Sequence, residues 1–116
     1  MWNKPTQEEL AQLPAFYATE NVPLPDKVMA MHLYIGGCDW WACEYDPASQ
    51  MFFGFAVLNN NLDMAEWGYF SLVELDEIRV TFIQVDRDLY WAPRKAIEVE
   101  KIRKSSMMTE RVSLRT

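Results

Sequence analysis

Trp40-Trp41-Ala42-Cys43-Glu44-Tyr45, then Asp46-Pro47-Ala48-Ser49-Gln50, then Met51-Phe52-Phe53-Gly54-Phe55-Ala56-Val57-Leu58 is the stretch that decides the fold of this chain. β-Prone residues stand on both sides of an Asp-Pro turn, a local strand–turn–strand signal. A five-residue loop over residues 46–50 predicts Tyr45 opposite Met51, Cys43 opposite Phe53 and Trp41 opposite Phe55, all six on one buried face. A four-residue loop sets Cys43 opposite Gly54 and mixes the faces, so the first register is preferred. It leaves Trp40, Ala42, Phe52, Gly54 and Ala56 as a shallow trough on the second face, which needs a cover.

Upstream, Thr6 and Glu9 form a capping-box pattern for a short helix ending before Pro14. Pro14, Pro23 and Pro25 make residues 13–26 a stiff irregular connection. Lys27–Ile35 reads as a central strand with Met29, Met31, Leu33 and Ile35 on one side. Downstream, Trp67–Phe70 reads as a short strand running into Ser71 and Glu74, a second capping pattern. The helix that follows, from Leu72 to Ile78, presents Leu72, Leu75 and Ile78 at helical spacing and is the expected cover for the trough. Val80–Val85 and Leu89–Trp91 read as further strands, Lys95–Lys104 as an amphipathic helix, and Ser105–Thr116 as frayed. The fold class that results is α+β: a small, mostly antiparallel sheet of about four to six strands around the aromatic hairpin, flanked by two or three short helices.

Charge is unevenly placed. The net charge is −6, yet residues 1–93 hold fourteen Asp/Glu against four Lys/Arg, a balance of −10, while residues 94–116 carry +4. The organisation expected is therefore one acidic domain over residues 1–93 and a basic C-terminal extension over 94–116, helical and then frayed. An acidic body disfavours direct nucleic-acid binding, which needs clustered cations. It suits a basic partner surface or the chain's own tail. No apolar run is long enough for a signal peptide or a membrane span, and two cysteines do not make a disulfide scaffold. A cytoplasmic protein that does not engage the membrane is expected.

His32, Cys38 and Cys43 are the soft metal ligands present, fewer than the four of a structural zinc site. Buried thiols and one tethered imidazole are the simpler reading, and Cys–His nucleophilic catalysis has a single histidine to draw on. Carboxylates are plentiful. Glu44 and Asp46 alternate along one strand and Asp86 and Asp88 along another, so these four are the candidate ligands for Mg²⁺ or Mn²⁺ in a small nuclease or phosphohydrolase. Solvated strand ends and turn chemistry explain the same residues without an ion. No phosphate loop or Gly-x-Ser-x-Gly motif occurs. No cofactor is expected.

Several blocks together resemble a known family. Leu13-Pro14-Ala15-Phe16-Tyr17-Ala18-Thr19-Glu20, Pro23-Leu24-Pro25-Asp26-Lys27, Glu44-Tyr45-Asp46, Phe52-Phe53-Gly54, Gly68-Tyr69-Phe70-Ser71-Leu72-Val73-Glu74-Leu75 and Arg87-Asp88-Leu89-Tyr90-Trp91 follow the order of the DUF2958 family of small domains of unknown function. The resemblance spans roughly Leu13 to Pro93. It departs at Val80-Thr81-Phe82-Ile83-Gln84-Val85, where the family tends to carry Gly/Pro-rich text. The family is similar to those carried on plasmids, integrative elements and phages. It implies an accessory role in a mobile element's dealings with its host and supplies no catalytic residues.

The leading expectation is a non-enzymatic module that binds a host or element-encoded protein, with inhibition of a host defence (CRISPR or restriction) nuclease complex as its specific form. The candidate interface is Tyr17, Glu20, Asp39, Trp40, Asp86, Asp88, Tyr90 and Trp91, acidic groups beside aromatics that flank prolines and strand ends. The metal-dependent hydrolase built on Glu44, Asp46, Asp86 and Asp88 is the rival reading, and a homodimer is compatible with either.

Overall fold

The computed structural model describes residues 2–108. In chain order the elements are α1 (Gln7–Leu10), β1 (Val28–Met29), β2 (Met31–Ile35), β3 (Cys38–Asp46), β4 (Met51–Val57), β5 (Glu66–Ser71), α2 (Leu72–Glu77), β6 (Arg79–Val80), β7 (Ile83–Gln84), β8 (Asp86–Arg87), β9 (Arg94–Lys95) and α3 (Glu100–Arg103), with 3₁₀ turns at Leu24–Asp26 and Ala96–Glu98. Five strands form one antiparallel sheet in the order β5-β4-β3-β2-β8, and β1 pairs with β9 and β6 with β7 in two small ribbons. The protein is a small α+β domain.

The central hairpin corrects the expected register in an instructive way. Asp46 pairs with Met51, so the loop has four residues, and Tyr45 faces Phe52. Trp41 nevertheless pairs with Phe55, because a bulge between Ala42 and Glu44 absorbs the extra residue at Cys43. Periodicity forced a choice between two uniform registers; the bulge takes one at each end. Its result is that Tyr45 joins Trp40, Ala42 and Phe52 on the first face, while Trp41, Cys43 and Phe55 lie on the second. The sheet thus buries rings on both sides.

The first face is the expected trough, and α2 covers it through Leu72 and Leu75. Ser71 starts that helix by accepting the Glu74 N–H at 3.1 Å. The N-terminal segment completes the cover with Trp2, Leu10 and Leu13. It is held down by the Trp2 indole N–H on Asp76 (2.7 Å) and by the Arg87 guanidinium on Glu9 (2.6 Å). Thr6 and Glu9 make the reciprocal capping box that the sequence predicts.

The second face is covered by the chain after Pro93. Ala96, Val99, Ile102 and Met108 pack on Met29, Trp41, Phe55 and Val57. The division expected at residue 93 is therefore not a boundary in packing. The basic segment supplies core side chains, and its charges lie on the outer side of the same short elements. Residues 109–116, expected to be frayed, lie outside the described residues.

Three other expectations need correcting. The Lys27–Ile35 strand breaks at Ala30, whose N–H bonds the Ala42 carbonyl (2.8 Å), so Met29 packs on the second face and Met31, Leu33 and Ile35 on the first. Val80–Val85 is not one strand but the β6–β7 ribbon followed by a buried Val85. Leu89–Trp91 is a turn, fixed by Asp88 accepting the Tyr90 N–H (3.0 Å), and the strand lies earlier, at Asp86–Arg87.

Candidate functional site

The Cys43 bulge re-aims Glu44. This carboxylate is 4% exposed and accepts the N–H groups of Tyr17 and Thr19, both at 3.1 Å, and the Thr19 hydroxyl. Lys27, also buried, donates to the Thr19 carbonyl and, at 2.8 Å, to its hydroxyl oxygen. A buried anion and a buried cation thus share one threonine, the kind of pairing that makes interior charges tolerable. The clasp holds the loop at Tyr17, whose φ of 68° is rare for a bulky residue. It is structural chemistry: the donors all come from the chain itself.

A second polar cluster lies on β2. The His32 ring stacks on Trp41 (4.9 Å between centroids, 8° between planes), and each ring nitrogen faces a carboxylate. Nε2 lies 2.8 Å from Asp39 and Nδ1 3.4 Å from Asp88. Lys101 donates to the other Asp39 oxygen at 2.6 Å and to Asn60 at 3.0 Å. Burial raises the Asp39 pKa, but hydrogen bonds from His32 and Lys101 outweigh it and hold the carboxyl below its usual value. The acidic body does bind its own basic segment here, through α3. Neither of the two clefts described below reaches this cluster, and among the described residues no hydroxyl or thiol hydrogen-bonds the ring.

The four carboxylates of the metal reading are not brought together. Glu44 holds the Tyr17 loop, and Asp46 caps its own turn by accepting from Ser49 (N–H 3.2 Å, hydroxyl 2.6 Å). Asp86 accepts from the Asn3 and Arg87 N–H groups, each at 2.8 Å, and Asp88 faces His32. Among the described residues, no three His, Cys, Asp or Glu side chains are grouped so as to hold an ion. The geometry corrects that alternative, because each carboxylate has a separate backbone or side-chain partner on a different element.

The candidate interface residues divide. Asp39 and Trp40 are buried in the body, the first as an ion partner and the second as a core ring, and do not present themselves to a partner. Asp86 is half-buried and tied to the N-terminal segment. Trp91 is half-buried, its indole N–H on the Met29 carbonyl (2.8 Å) and the Arg94 guanidinium 4.0 Å over its ring. Glu20 and Tyr17 are exposed, Asp88 is half-buried, and Tyr90 stands 96% exposed.

The sequence reading missed a second ring as exposed as Tyr90. Phe82 is 95% exposed at the tip of the β6–β7 ribbon, where Val80 pairs with Ile83. Val80 and Ile83 are exposed as well, as is Leu89 beside Tyr90. The tip residue before Phe82, Thr81, has φ 58°, a conformation that a β-branched residue rarely adopts and that hairpin turns normally give to Gly or Asn. The departure of Val80–Val85 from the family text was the available signal. Reading it as one more strand hid it.

Two clefts accompany these features. One, of about 820 Å³, runs between the N-terminal segment and the central hairpin, lined by Lys4, Leu10, Ala15, Tyr45, Pro47 and Leu72. Its one lysine is paired with Asp76 at 3.0 Å. The other, about 130 Å³, is the space over the Lys27–Glu44 clasp, walled by Tyr17, Phe53 and Tyr69. Neither brings a nucleophile, a base and an oxyanion donor together. Among the described residues, no helix is long and apolar enough to cross a membrane.

Fold and surface together define a small antiparallel-sheet domain, closed on both faces by its own chain and displaying an exposed apolar ribbon. A family model described as a protein of unknown function (DUF2958) matches residues 6–107, and the chain belongs to that family. No curated protein and no solved structure matches it.

Proposed function

We propose that this chain is a non-enzymatic protein-binding module that docks through the β6–β7 ribbon and the Tyr90 turn. The observation that carries the reading is the near-complete exposure of Phe82 and Tyr90, at 95% and 96%, in a protein whose other rings are mostly packed. Large apolar side chains in water are ordinary when scattered. Val80, Phe82 and Ile83 are instead adjacent on one strained turn, which is a feature of contact sites. Burying such a side chain contributes about 1.5–3 kcal/mol, enough to make each aromatic an anchor. The partner that fits is a protein with an apolar groove rimmed by cations, because the body from residue 1 to residue 93 carries −10.

Within this reading, the family resemblance favours a chain encoded by a plasmid, integrative element or phage and acting in the cytoplasm, where its two free thiols stay reduced. Inhibition of a host defence nuclease is the specific form: an acidic module competing for a basic, nucleic-acid-receiving surface. The test is binding by wild type and by a Phe82→Ser, Tyr90→Ser double variant to partners retained from host cells. Both side chains are exposed, so the variant keeps the wild-type unfolding midpoint. The expected result is loss of at least about tenfold in affinity, with salt weakening what remains. Equal retention by the two proteins overturns the reading.

A further inference from the structure

We infer that the outer edge of β5 is a pairing site for a second copy of this chain, which joins two five-stranded sheets into one. Every residue of β5 from Glu66 to Ser71 pairs with β4, and among the described residues no other backbone hydrogen bond reaches this strand. The opposite edge of the sheet ends in the two-residue β8, which offers little to pair with. Edge strands in natural proteins are normally blunted by lysine, proline, a bulge or a covering loop. β5 carries no lysine, proline or bulge: its pairing with β4 is unbroken over six residues, its one charge, Glu66, sits at the first position, and the loop that reaches it packs the Phe16 ring on Tyr69, 5.3 Å between centroids.

A second copy is the occupant because the strand is complementary to itself. Antiparallel pairing about a two-fold axis at Gly68 sets Gly68 opposite Gly68 of the second copy, Trp67 opposite its Tyr69, and Tyr69 opposite its Trp67. Trp67 and Tyr69 share the face of Phe55 and Phe53, so two aromatic cross-strand pairs form on one side of the joined sheet. Tyr69 is half-exposed in the single chain and gains cover. Gly68 has nothing within 4 Å of the position of a Cβ, so among the described residues no group overhangs the axis on that face. No charge lies among Trp67, Gly68, Tyr69 and Phe70 to repel the copy. Six paired residues make a small interface of the weak, transient class, for which a dissociation constant on the order of 10–100 µM is expected.

Sedimentation velocity of the full chain from about 10 µM to about 500 µM tests this, that range bracketing the expected constant. The expected result is a mass rising from 13.6 kDa towards twice that value. Gly68→Lys places two like charges on the axis, its Cβ meeting nothing within 4 Å, and weakens association at least tenfold, whereas Gly68→Ala leaves it unchanged. Circular dichroism of each variant confirms that the fold is kept. A wild type that stays monomeric throughout, or a Gly68→Lys variant that dimerises equally well, overturns the inference. So does loss of the dimer in the Phe82→Ser, Tyr90→Ser variant, which places the contact on the ribbon instead.

Discussion

Gly54→Ala is expected to damage this protein more than any other single methyl group added at a glycine. Gly54 lies on β4 opposite Ala42, one residue before the bulge, and a Cβ there falls on the carbonyl oxygen of Trp41. It also comes within 2.9 Å of the Trp41 carbonyl carbon and 3.0 Å of the Ala42 Cα. Carbon contacts settle at about 3.5–4.0 Å, so these two alone demand a shift of roughly 0.6–1 Å. The obstacle is backbone in the middle of the sheet, with Trp41 and Phe52 packed on either side, and cannot swing aside as a side chain can. Overpacking a core typically costs about 1–3 kcal/mol, and a clash with fixed backbone belongs at or above the top of that range. Against a total of about 5–15 kcal/mol this is a large loss. Urea unfolding followed by circular dichroism reads it as a fall in midpoint of about 1–3 M, taking 3 kcal/mol and a slope of about 1–3 kcal/mol/M. Gly68→Ala on the neighbouring strand meets nothing within 4 Å and is expected to unfold at or slightly above the wild-type midpoint. A Gly54→Ala variant within about 0.5 kcal/mol of wild type refutes the close approach of β3 and β4 on which the bulge rests.

Three further predictions follow from the packing and the charges. Ile102→Ala, which empties a fully buried position on the second face, is expected to cost about 2–5 kcal/mol in chemical denaturation, and a chain ending at Pro93 is expected not to fold; a stable truncated chain contradicts the placement of the C-terminal segment in the core. The Arg87 hydrogen bond, with help from the Thr6 backbone, lowers the Glu9 pKa from 4.5 to about 2, so the stability it lends is present above pH 4.5 and is lost as pH falls through about 2. Thermal melts of wild type and Glu9→Gln should therefore differ most at neutral pH and converge near pH 2; a difference that does not change with pH counts against the ion pair. Burial, with Glu44 nearby, pushes the Cys43 thiol up to about 12, while Cys38 is half-exposed, so a thiol reagent at pH 8 should modify one of the two cysteines in the native protein and both after unfolding.

The central hairpin, the trough and its helical cover were legible because their signals are local: alternating rings about an Asp-Pro turn, a serine cap, and Leu72 and Leu75 at helical spacing. The bulge was not, because periodicity assigns one register to a whole strand and Cys43 carries no mark of being the extra residue. The role of the C-terminal segment was obscured by its charge. Seven cations over residues 94–116 drew attention from Ala96, Val99 and Ile102, which alternate with those charges and are the residues that pack. Of the candidate interface, Tyr17 and Tyr90 could be found from their proline-flanked, weakly patterned surroundings. Asp39 and Trp40 could not be excluded, since their burial depends on α2 and Lys101, far away in sequence. Phe82 was hidden for the opposite reason: Val80-Thr81-Phe82-Ile83 has the composition of a buried strand and stands in water.

The most direct test of the docking surface is photo-crosslinking in the host cell from a benzophenone amino acid placed at position 82, with the same group at the exposed Leu58 as the control. The account predicts one discrete adduct to a protein from position 82 and none from position 58. Identical adducts from both positions, or none from position 82 while a partner is still co-purified, contradict it.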